Sequence, residues 1–221
     1  MHRRDLLKLA ATAGVAWAAN SIAAETHSAI PVIDVHIHLF DTARPGGVPW
    51  PEKSDTVIYK PALPARYSKI ASPLGIVGAI AIEASPLASD NDWVLRVVQD
   101  NPIMVGMVGD LIPGTPSYPR ELDRLHANPL FLGIRYGNLW NRDLAVDSKK
   151  PGFITGLKAL SDYGLTMDSA NPDPSLIRAL VDVSDKLPEL RIVIDHLPSA
   201  PVPAESTARN EYLSHLHRLS Q

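Results

Sequence analysis

Short apolar runs rich in Val and Ile alternate with stretches of helical periodicity along most of this sequence. Within each run the apolar residues are continuous, which is typical of strands that are buried on both faces of a parallel sheet. The pattern predicts six strands, at residues 32–40, 75–84, 103–111, 130–136, 165–169 and 191–196.

Amphipathic segments between these runs predict helices, at residues 90–100, 120–127, 153–163, 175–187 and 205–219. Asp90 is an acidic cap candidate for the first helix, and Asp173 with Pro174 forms an N-cap and N1 pair. Gly164 is suited to the C′ position of the helix that precedes it. Alternating strands and helices indicate an α/β protein, either a (β/α)₈ barrel or a doubly wound sheet.

One long segment, residues 41–70, lacks periodicity and is rich in Pro and Gly. It follows the first predicted strand, so it lies at the end of the sheet where barrel active sites are built. It either covers the site as a lid, with Trp50 and Tyr59 as its aromatic residues, or packs on the outside of the barrel.

The N-terminal residues 1–24 read as an export signal rather than part of the fold. Arg3 and Arg4 precede an Ala-rich segment that is too short to span a bilayer, and small residues that suit cleavage follow it. This arrangement resembles the twin-arginine signal, so we expect residues 25–221 to form the mature domain and to act in the periplasm or outside the cell. The alternative is an N-terminal helix of the mature protein.

Composition narrows the possible chemistry. The chain has 221 residues, of which 45% are hydrophobic and 20% charged, and it contains no cysteine. Any metal site must therefore use His and carboxylate ligands. The formal net charge is −3, and no basic block is present, so we expect neither a nucleic-acid partner nor a membrane anchor. A small-molecule substrate is expected, and a homo-oligomer is possible.

A His-x-His pair, His36 and His38, ends the first predicted strand. Residues i and i+2 of a strand point to the same face, so the two imidazoles project together. Paired imidazoles suit Zn²⁺ and similar ions. A His-x-His spacing also occurs by chance. The position of this pair at the start of the strand/helix repeat is what favours a metal site.

Charged residues stand near the ends of the later strands: Glu83, Asp110, Arg135, Asp168, Asp195 and His196. A charged group in such a place is unfavourable unless it is paired or bound to a metal. For Asp110 and Asp168 a plain salt bridge is the favoured interpretation. The carboxyl ends of all strands of a barrel face one mouth, so the whole set also predicts an active site there.

Four of these segments together resemble the amidohydrolase-related family, in its branch of sugar-lactone and pyrone-dicarboxylate lactonases. They are IDVHIH (33–38), AIEA (81–84), GIR (133–135) and VIDHL (193–197), in this order along the chain. The resemblance implies a (β/α)₈ barrel that hydrolyses a lactone, ester or amide-like bond, often with a divalent metal. Zn²⁺ is the expected ion, although some members act without a metal.

The resemblance also assigns roles. His36, His38 and His196 correspond to metal-ligand positions, and His196 is in addition a catalytic candidate. Arg135 corresponds to a contact with a substrate anion, and Glu83 to an acid beside the substrate.

The sequence departs from the family after His196. Members continue through two further strand/helix units and carry a catalytic aspartate after the last strand, whereas this sequence ends at Gln221. We therefore expect an incomplete barrel of about six strand/helix units, truncated at its C-terminus. Asp168, Asp195 or Glu83 would have to replace the catalytic aspartate.

Two functions from different classes remain open on this evidence. The first is an exported hydrolase acting on a small, anionic lactone, ester or amide, whose activity the truncation would put in doubt. The second is a non-catalytic scaffold that binds a small acid or assembles with a partner. A periplasmic solute-binding protein is disfavoured, because the chain shows no boundary between two lobes.

Overall fold

The computed structural model describes residues 30–221, and its centre is one sheet of six parallel strands. The strands are β1 (Val32–Ile37), β2 (Ile76–Ile82), β3 (Met104–Gly109), β4 (Phe131–Arg135), β5 (Thr166–Ser169) and β6 (Arg191–Ile194). They lie in the sheet in the same order as in the chain. A doubly wound sheet reverses its strand order, so this order excludes that alternative and confirms an incomplete (β/α)₈ barrel. The predicted export signal lies outside the described residues.

Seven α-helices accompany the strands in the described part of the chain: α1 (Pro64–Ala71), α2 (Ser89–Gln99), α3 (Tyr118–His126), α4 (Leu144–Asp147), α5 (Phe153–Asp162), α6 (Pro174–Lys186) and α7 (Ser206–Leu219). Two short 3₁₀ helices, Ser72–Leu74 and Leu197–Ser199, complete the set. The five predicted helices are confirmed to within two residues at each end.

Helix α1 lies inside the segment that the sequence predicts to be irregular, so that prediction is wrong from residue 64 onward. The helix has no acidic residue in its first turn and no side-chain cap, and only Pro64 and Ala71 are buried. A helix of only eight residues without a cap, inside a Pro- and Gly-rich segment, leaves little signal in the sequence.

The predicted helix signals near the later strands are confirmed. The side chain of Asp173 accepts a hydrogen bond from the backbone N–H of Leu176 at 2.8 Å, and Pro174 is the first residue of α6. Gly164 has φ 68°, the left-handed conformation that glycine adopts at low cost. These signals fix where α5 ends and α6 begins, and thereby the position of β5 between them.

The main core lies between the sheet and the helices. Met107 and Ile134 of the sheet and Leu122, Leu157 and Leu180 of the helices are among its fully buried side chains. Strands β4 and β5 approach so closely that a Cβ on Gly133 would lie 2.3 Å from the carbonyl oxygen of Thr166. Only glycine fits there, and this allows the two strands to pair in register.

The other face of the sheet is concave and bounds a cavity of about 600 Å³, to which all six strands contribute side chains. The inner strands β2 to β5 are largely buried, as the sequence predicts. The outer strands differ: Val35 of β1 is 64% exposed and Val193 of β6 is 44% exposed. A continuous apolar run thus predicts burial well only where a strand has a neighbour on each side.

Helices of the length and apolarity that a bilayer crossing requires are not found among residues 30–221. Residues Val32–Gln221 form one compact unit.

Candidate metal centre and active site

Three histidines converge at the carboxyl end of the sheet. His36 belongs to β1 and His38 follows it, while His196 follows β6. The ring of His36 lies 5.0 Å from that of His38 and 4.7 Å from that of His196, centroid to centroid. Because β1 and β6 are the two outermost strands, this contact shows that the sheet curls until its first and last strands face each other.

The three rings offer one ligand nitrogen each, and these nitrogens lie within 4.8 Å of one another. His196 takes the left-handed conformation with φ 55°, which is uncommon outside glycine and persists only where the surrounding structure fixes it. The structure therefore brings together all three residues that the sequence predicts as metal ligands.

Hydrogen bonds orient two of the rings. His36 Nδ1 lies 3.3 Å from Asp195 Oδ1, and His38 Nδ1 lies 3.0 Å from the carbonyl oxygen of Ile82. An acceptor at Nδ1 holds the proton there and leaves the Nε2 lone pair available, as in histidines that bind metals.

The Nε2 atom of His36 is buried and has no hydrogen-bond partner among the described residues. Burial lowers the pKa of His38 to about 4, so this ring is neutral at pH 7. Burial and the neighbouring His36 also lower the pKa of His196. A divalent ion requires neutral imidazoles with free lone pairs; His38 and His196 favour the neutral form, and His36 and His38 each have Nε2 free, so the cluster fits a metal.

Asp195 links the histidines to Arg135. Its second oxygen, Oδ2, accepts a hydrogen bond from Nε of Arg135 at 2.7 Å. Burial alone would raise the pKa of Asp195, but the hydrogen bond to His36 and the Arg135 guanidinium outweigh it and lower the pKa. Asp195 is therefore ionised at neutral pH, and both of its oxygens are engaged. The structure thus shows Asp195 orienting His36; its predicted catalytic role stays a prediction.

Arg135 is only 5% exposed, and besides Asp195 it binds the carbonyl oxygen of Glu83 through Nη1 at 3.0 Å. Its charge is matched by Asp195, while its side chain also lines the cavity beside the histidines. A contact with a substrate anion stays a prediction for this residue.

Asp168, at the end of β5, lines the concave face next to His36 and Asp195. Its only side-chain hydrogen bond among the described residues comes from the Thr166 hydroxyl at 3.2 Å, and it pairs with no Lys or Arg there. The favoured interpretation of Asp168 as a salt-bridge residue is therefore wrong. Burial, together with the charge of Asp195, raises the pKa of Asp168 to about 7.

Glu83 and Asp110 instead share one arginine, Arg142. Its Nη2 lies 2.7 Å from Glu83 Oε1 and 2.9 Å from Asp110 Oδ1. The salt-bridge interpretation of Asp110 is confirmed. Burial raises the pKa of Glu83 to about 7 although Arg142 opposes the shift. The Glu83 carboxylate is buried against Arg142, so its predicted contact with a substrate stays a prediction.

Sequence reasoning missed Arg142, which lies in the loop after β4 rather than in a strand. Arg142 Nη1 donates to the carbonyl oxygen of Arg135 at 2.9 Å, so the Arg142 cluster also braces the strand that carries Arg135. The sequence offered one signal for Arg142, namely that it follows shortly after the charged end of a strand. The loops at this end of a barrel supply the residues of the active site.

The irregular segment after β1 forms a wall of the site, which favours its interpretation as a cover. Trp50 packs edge-on against His38, with ring centroids 5.3 Å apart. Arg44 ties the segment to α2 through two hydrogen bonds to Asp90, at 2.8 and 3.0 Å. Asp90 was predicted as the cap of α2; the helix begins one residue earlier, and the Asp90 carboxylate binds Arg44 instead.

A cavity of about 380 Å³ opens beside the histidines. Its lining residues are His38, Trp50, Ala84, Arg135, Leu139, Trp140, Asn171 and His196. Sequence reasoning did not identify Trp140 and Asn171 as part of the site. Both residues have positive φ, 56° and 53°, which sequence alone does not reveal.

Comparison with known proteins gives a consistent result. The model of an amidohydrolase family matches residues 33–221. The L-fucono-1,5-lactonase of Burkholderia ambifaria is 27% identical over 172 residues, which are 77% of this chain. Those residues span 58% of the length of that enzyme.

Solved structures share the fold. An amidohydrolase of Burkholderia multivorans with bound Zn superposes with a TM-score of 0.71 at 18% identity, covering 86% of this chain and 66% of that one. A protein of Acinetobacter baumannii, described as a probable 2-pyrone-4,6-dicarboxylic acid hydrolase and solved with citric acid, gives 0.61 at 20% identity, covering 84% and 66%.

Proposed function

This chain belongs to the amidohydrolase family, and we propose that it opens a small lactone ring by hydrolysis. The observation that carries the proposal is the cluster of His36, His38 and His196, with ligand nitrogens within 4.8 Å of one another. The related L-fucono-1,5-lactonase supports a lactone as the substrate class.

A divalent ion, for which we propose Zn²⁺, would be held by these three histidines and would polarise the lactone carbonyl and acidify a water molecule. Three imidazoles suit Zn²⁺, and an amidohydrolase of the same fold binds it. Asp195 keeps the proton on Nδ1 of His36, and the Ile82 carbonyl does the same for His38. Both rings thereby present Nε2.

In the overall reaction, water adds to the carbonyl carbon, the carbon–oxygen bond of the ring breaks, and a hydroxy acid forms. A carboxylate must accept the proton of the water and return it to the leaving oxygen. Asp195 is a poor acceptor because both of its oxygens are engaged. We propose Asp168, which pairs with no Lys or Arg among residues 30–221 and lies beside His36 on the concave face.

The test is hydrolysis of a panel of sugar lactones and carboxylated pyrones by the 221-residue chain, with added Zn²⁺ or with a chelator. The His36→Ala variant should lose about a thousandfold in kcat/KM, because polarisation by a metal contributes several kcal/mol. His217→Ala, a change on the exposed end of α7, should keep full activity.

Each outcome has a separate meaning. Activity that the chelator abolishes supports the metal centre, whereas activity that resists it supports hydrolysis without a metal. A folded wild-type chain that binds Zn²⁺ but hydrolyses nothing on the panel would overturn the proposal. The non-catalytic binding scaffold would then be favoured.

We further propose that residues 1–24 direct export to the periplasm by the twin-arginine route. Replacing Arg3 and Arg4 together with Lys should leave the protein in the cytoplasmic fraction of a bacterial host, whereas the wild type should reach the periplasm. Equal distribution of the two proteins would refute this route. Sedimentation of the same samples would test whether the chain forms a homo-oligomer.

A further inference from the structure

Strand β1 contains a β-bulge at the place where its first histidine lies. From Asp34 to Ile37, β1 advances by three residues while the paired stretch of β2 advances by only two, so β1 carries one extra residue there. A bulge interrupts the ladder and re-aims the side chains next to it, and bulges are frequent beside active sites. The bulge therefore bears directly on the direction in which His36 points.

The side chains around the bulge show its effect. Val35 and His36 are adjacent in the chain, yet both line the 600 Å³ cavity on the concave face. Asp34 instead faces α1, where its Oδ2 accepts a hydrogen bond from the Tyr67 hydroxyl at 2.9 Å. In a regular strand His36 would share the face of Asp34, two residues earlier, and would point away from the cavity. The bulge thus turns His36 toward the site.

The carboxylate of Asp34 also holds the bulge in place. Its Oδ1 accepts a hydrogen bond from the backbone N–H of His36 at 3.1 Å. The extra residue of a bulge loses its regular ladder partner, so a side-chain acceptor stabilises the backbone there. Tyr67 fixes the carboxylate from the other side, and its ring packs against the hydrophobic core. Both oxygens of Asp34 therefore act on the geometry of β1.

We propose that Asp34 and Tyr67 are positioning residues, which together hold the bulge that directs the ring of His36 toward the candidate metal centre. Asp195 fixes this ring through Nδ1, whereas Asp34 fixes the backbone that carries it. The role of the metal rests on the proposed function. The orientation of His36 does not, because it can be measured in the metal-free chain.

The first measurement is nitrogen NMR of the His36 imidazole in the full chain without metal, at a mildly alkaline pH where imidazole is neutral. In wild type, Asp195 should keep the proton on Nδ1. Asp34→Ala removes the acceptor of the His36 N–H, so the ring should leave Asp195 and its signals should shift to those of an exposed histidine. Asp34→Asn keeps an acceptor oxygen and should keep the wild-type signals.

The second measurement is Zn²⁺ affinity, by competition with a chromophoric chelator. Asp34→Ala should weaken binding about tenfold or more, as expected when a metal ligand loses a group that orients it. Tyr67→Phe removes only the hydroxyl and should weaken binding about threefold, within the range of one hydrogen bond. The double variant should lose no more than Asp34→Ala alone, because the hydroxyl acts only through the carboxylate.

Tyr163→Phe is the matched control, because Tyr163 also donates its hydroxyl to an aspartate, Asp123, but does so at an exposed position just after α5. It should change neither the His36 signals nor Zn²⁺ affinity. Variants of Asp34 and Tyr67 that lose stability in urea but keep both readouts would show that the pair supports only the fold, and would overturn the inference. Additive losses of affinity in the double variant would overturn it as well.

Lactone hydrolysis by the same samples tests the proposed function separately. Ring signals that respond to Asp34→Ala, in a chain that binds no Zn²⁺ and opens no lactone, would overturn the proposed function and leave the positioning role intact. A wild type that binds Zn²⁺ and hydrolyses lactones, with ring signals and affinity unchanged in Asp34→Ala, would do the reverse.

Discussion

Two arginines, Arg135 and Arg142, form neighbouring ion clusters at the carboxyl end of the sheet, and the clusters differ in what surrounds them. Arg142 neutralises Glu83 and Asp110, and all three side chains are at most 6% exposed. Arg135 lines the 380 Å³ cavity and pairs with Asp195, whose other oxygen orients His36; Asp195 and His36 line the 600 Å³ cavity. The first cluster is closed on itself, whereas the second connects the Arg135 charge, through Asp195, to Nδ1 of the candidate metal-binding residue His36.

The difference shows that charged residues at the strand ends serve two purposes in this barrel: one cluster stabilises the fold, and the other orients a candidate metal ligand. The closed cluster supports the open one, because Arg142 donates to the backbone of Arg135 and Arg135 donates to the backbone of Glu83. We therefore expect changes in the closed cluster to affect mainly stability, and changes in the open cluster to affect mainly metal binding.

The largest expected effect is on stability, in the Arg142→Met variant. Removing this guanidinium leaves two carboxylates buried without a cation, and breaking such buried pairs typically costs about 3–5 kcal/mol. Urea denaturation should show a loss of this size, or no folded protein at all. Arg124→Met removes an exposed arginine with two carboxylate partners and should cost less than about 1 kcal/mol. Similar losses for both variants would contradict the distinction between the clusters.

The next effect concerns the open cluster, in the Asp195→Asn variant. An amide no longer stabilises the Nδ1 proton of His36 as a carboxylate does, so Zn²⁺ affinity should fall about 10- to 100-fold. Competition with a chromophoric chelator measures this. Asp162→Asn, an exposed change on α5, should leave Zn²⁺ affinity unchanged. If Asp195→Asn binds Zn²⁺ as wild type does, Asp195 does not orient the metal site.

The smallest effect is a pH dependence that originates in the closed cluster. Burial raises the pKa of Glu83 from 4.5 to about 7 in the folded protein. Between these pH values the folded state keeps a proton that the unfolded state has released. The stability that Glu83 contributes is therefore complete below pH 4.5 and is lost as the pH rises to about 7.

The Glu83→Gln variant isolates this contribution, because glutamine does not titrate. From pH 5 to pH 7 wild type should lose stability relative to the variant by up to about 1.4 kcal/mol per pH unit. Urea midpoints at several pH values give the two slopes. Parallel slopes would show that Glu83 stays ionised in the fold.

The sequence predicted the fold well because its signals are local. Apolar runs such as that of β2 and the cap at Asp173 depend only on residues near in the chain. Helix α1 escaped prediction because it carries neither signal. The exposure of β1 and β6 escaped as well, since continuous apolar runs do not tell an outer strand from an inner one.

The site was predicted in part. Side chains alternate along a strand, so the sequence predicts that His36 and His38 point to the same face. The row of charged residues at the strand ends predicts that His196 lies at the same end of the sheet. Arg142 and Trp140 could not be found in this way, because they lie in a loop whose path is set by contacts with distant residues.

By itself the sequence determined the six strands, the helices between most of them and the set of charged residues at the strand ends. Only the tertiary structure decided how those residues pair: Arg135 with Asp195, 60 residues away, and Arg142 with Glu83, 59 residues away. Propensity and periodicity act over a few residues, whereas these pairs depend on which strand ends the curled sheet brings together. The chemistry of each carboxylate follows from its partner and its burial, and both exist only in the folded chain.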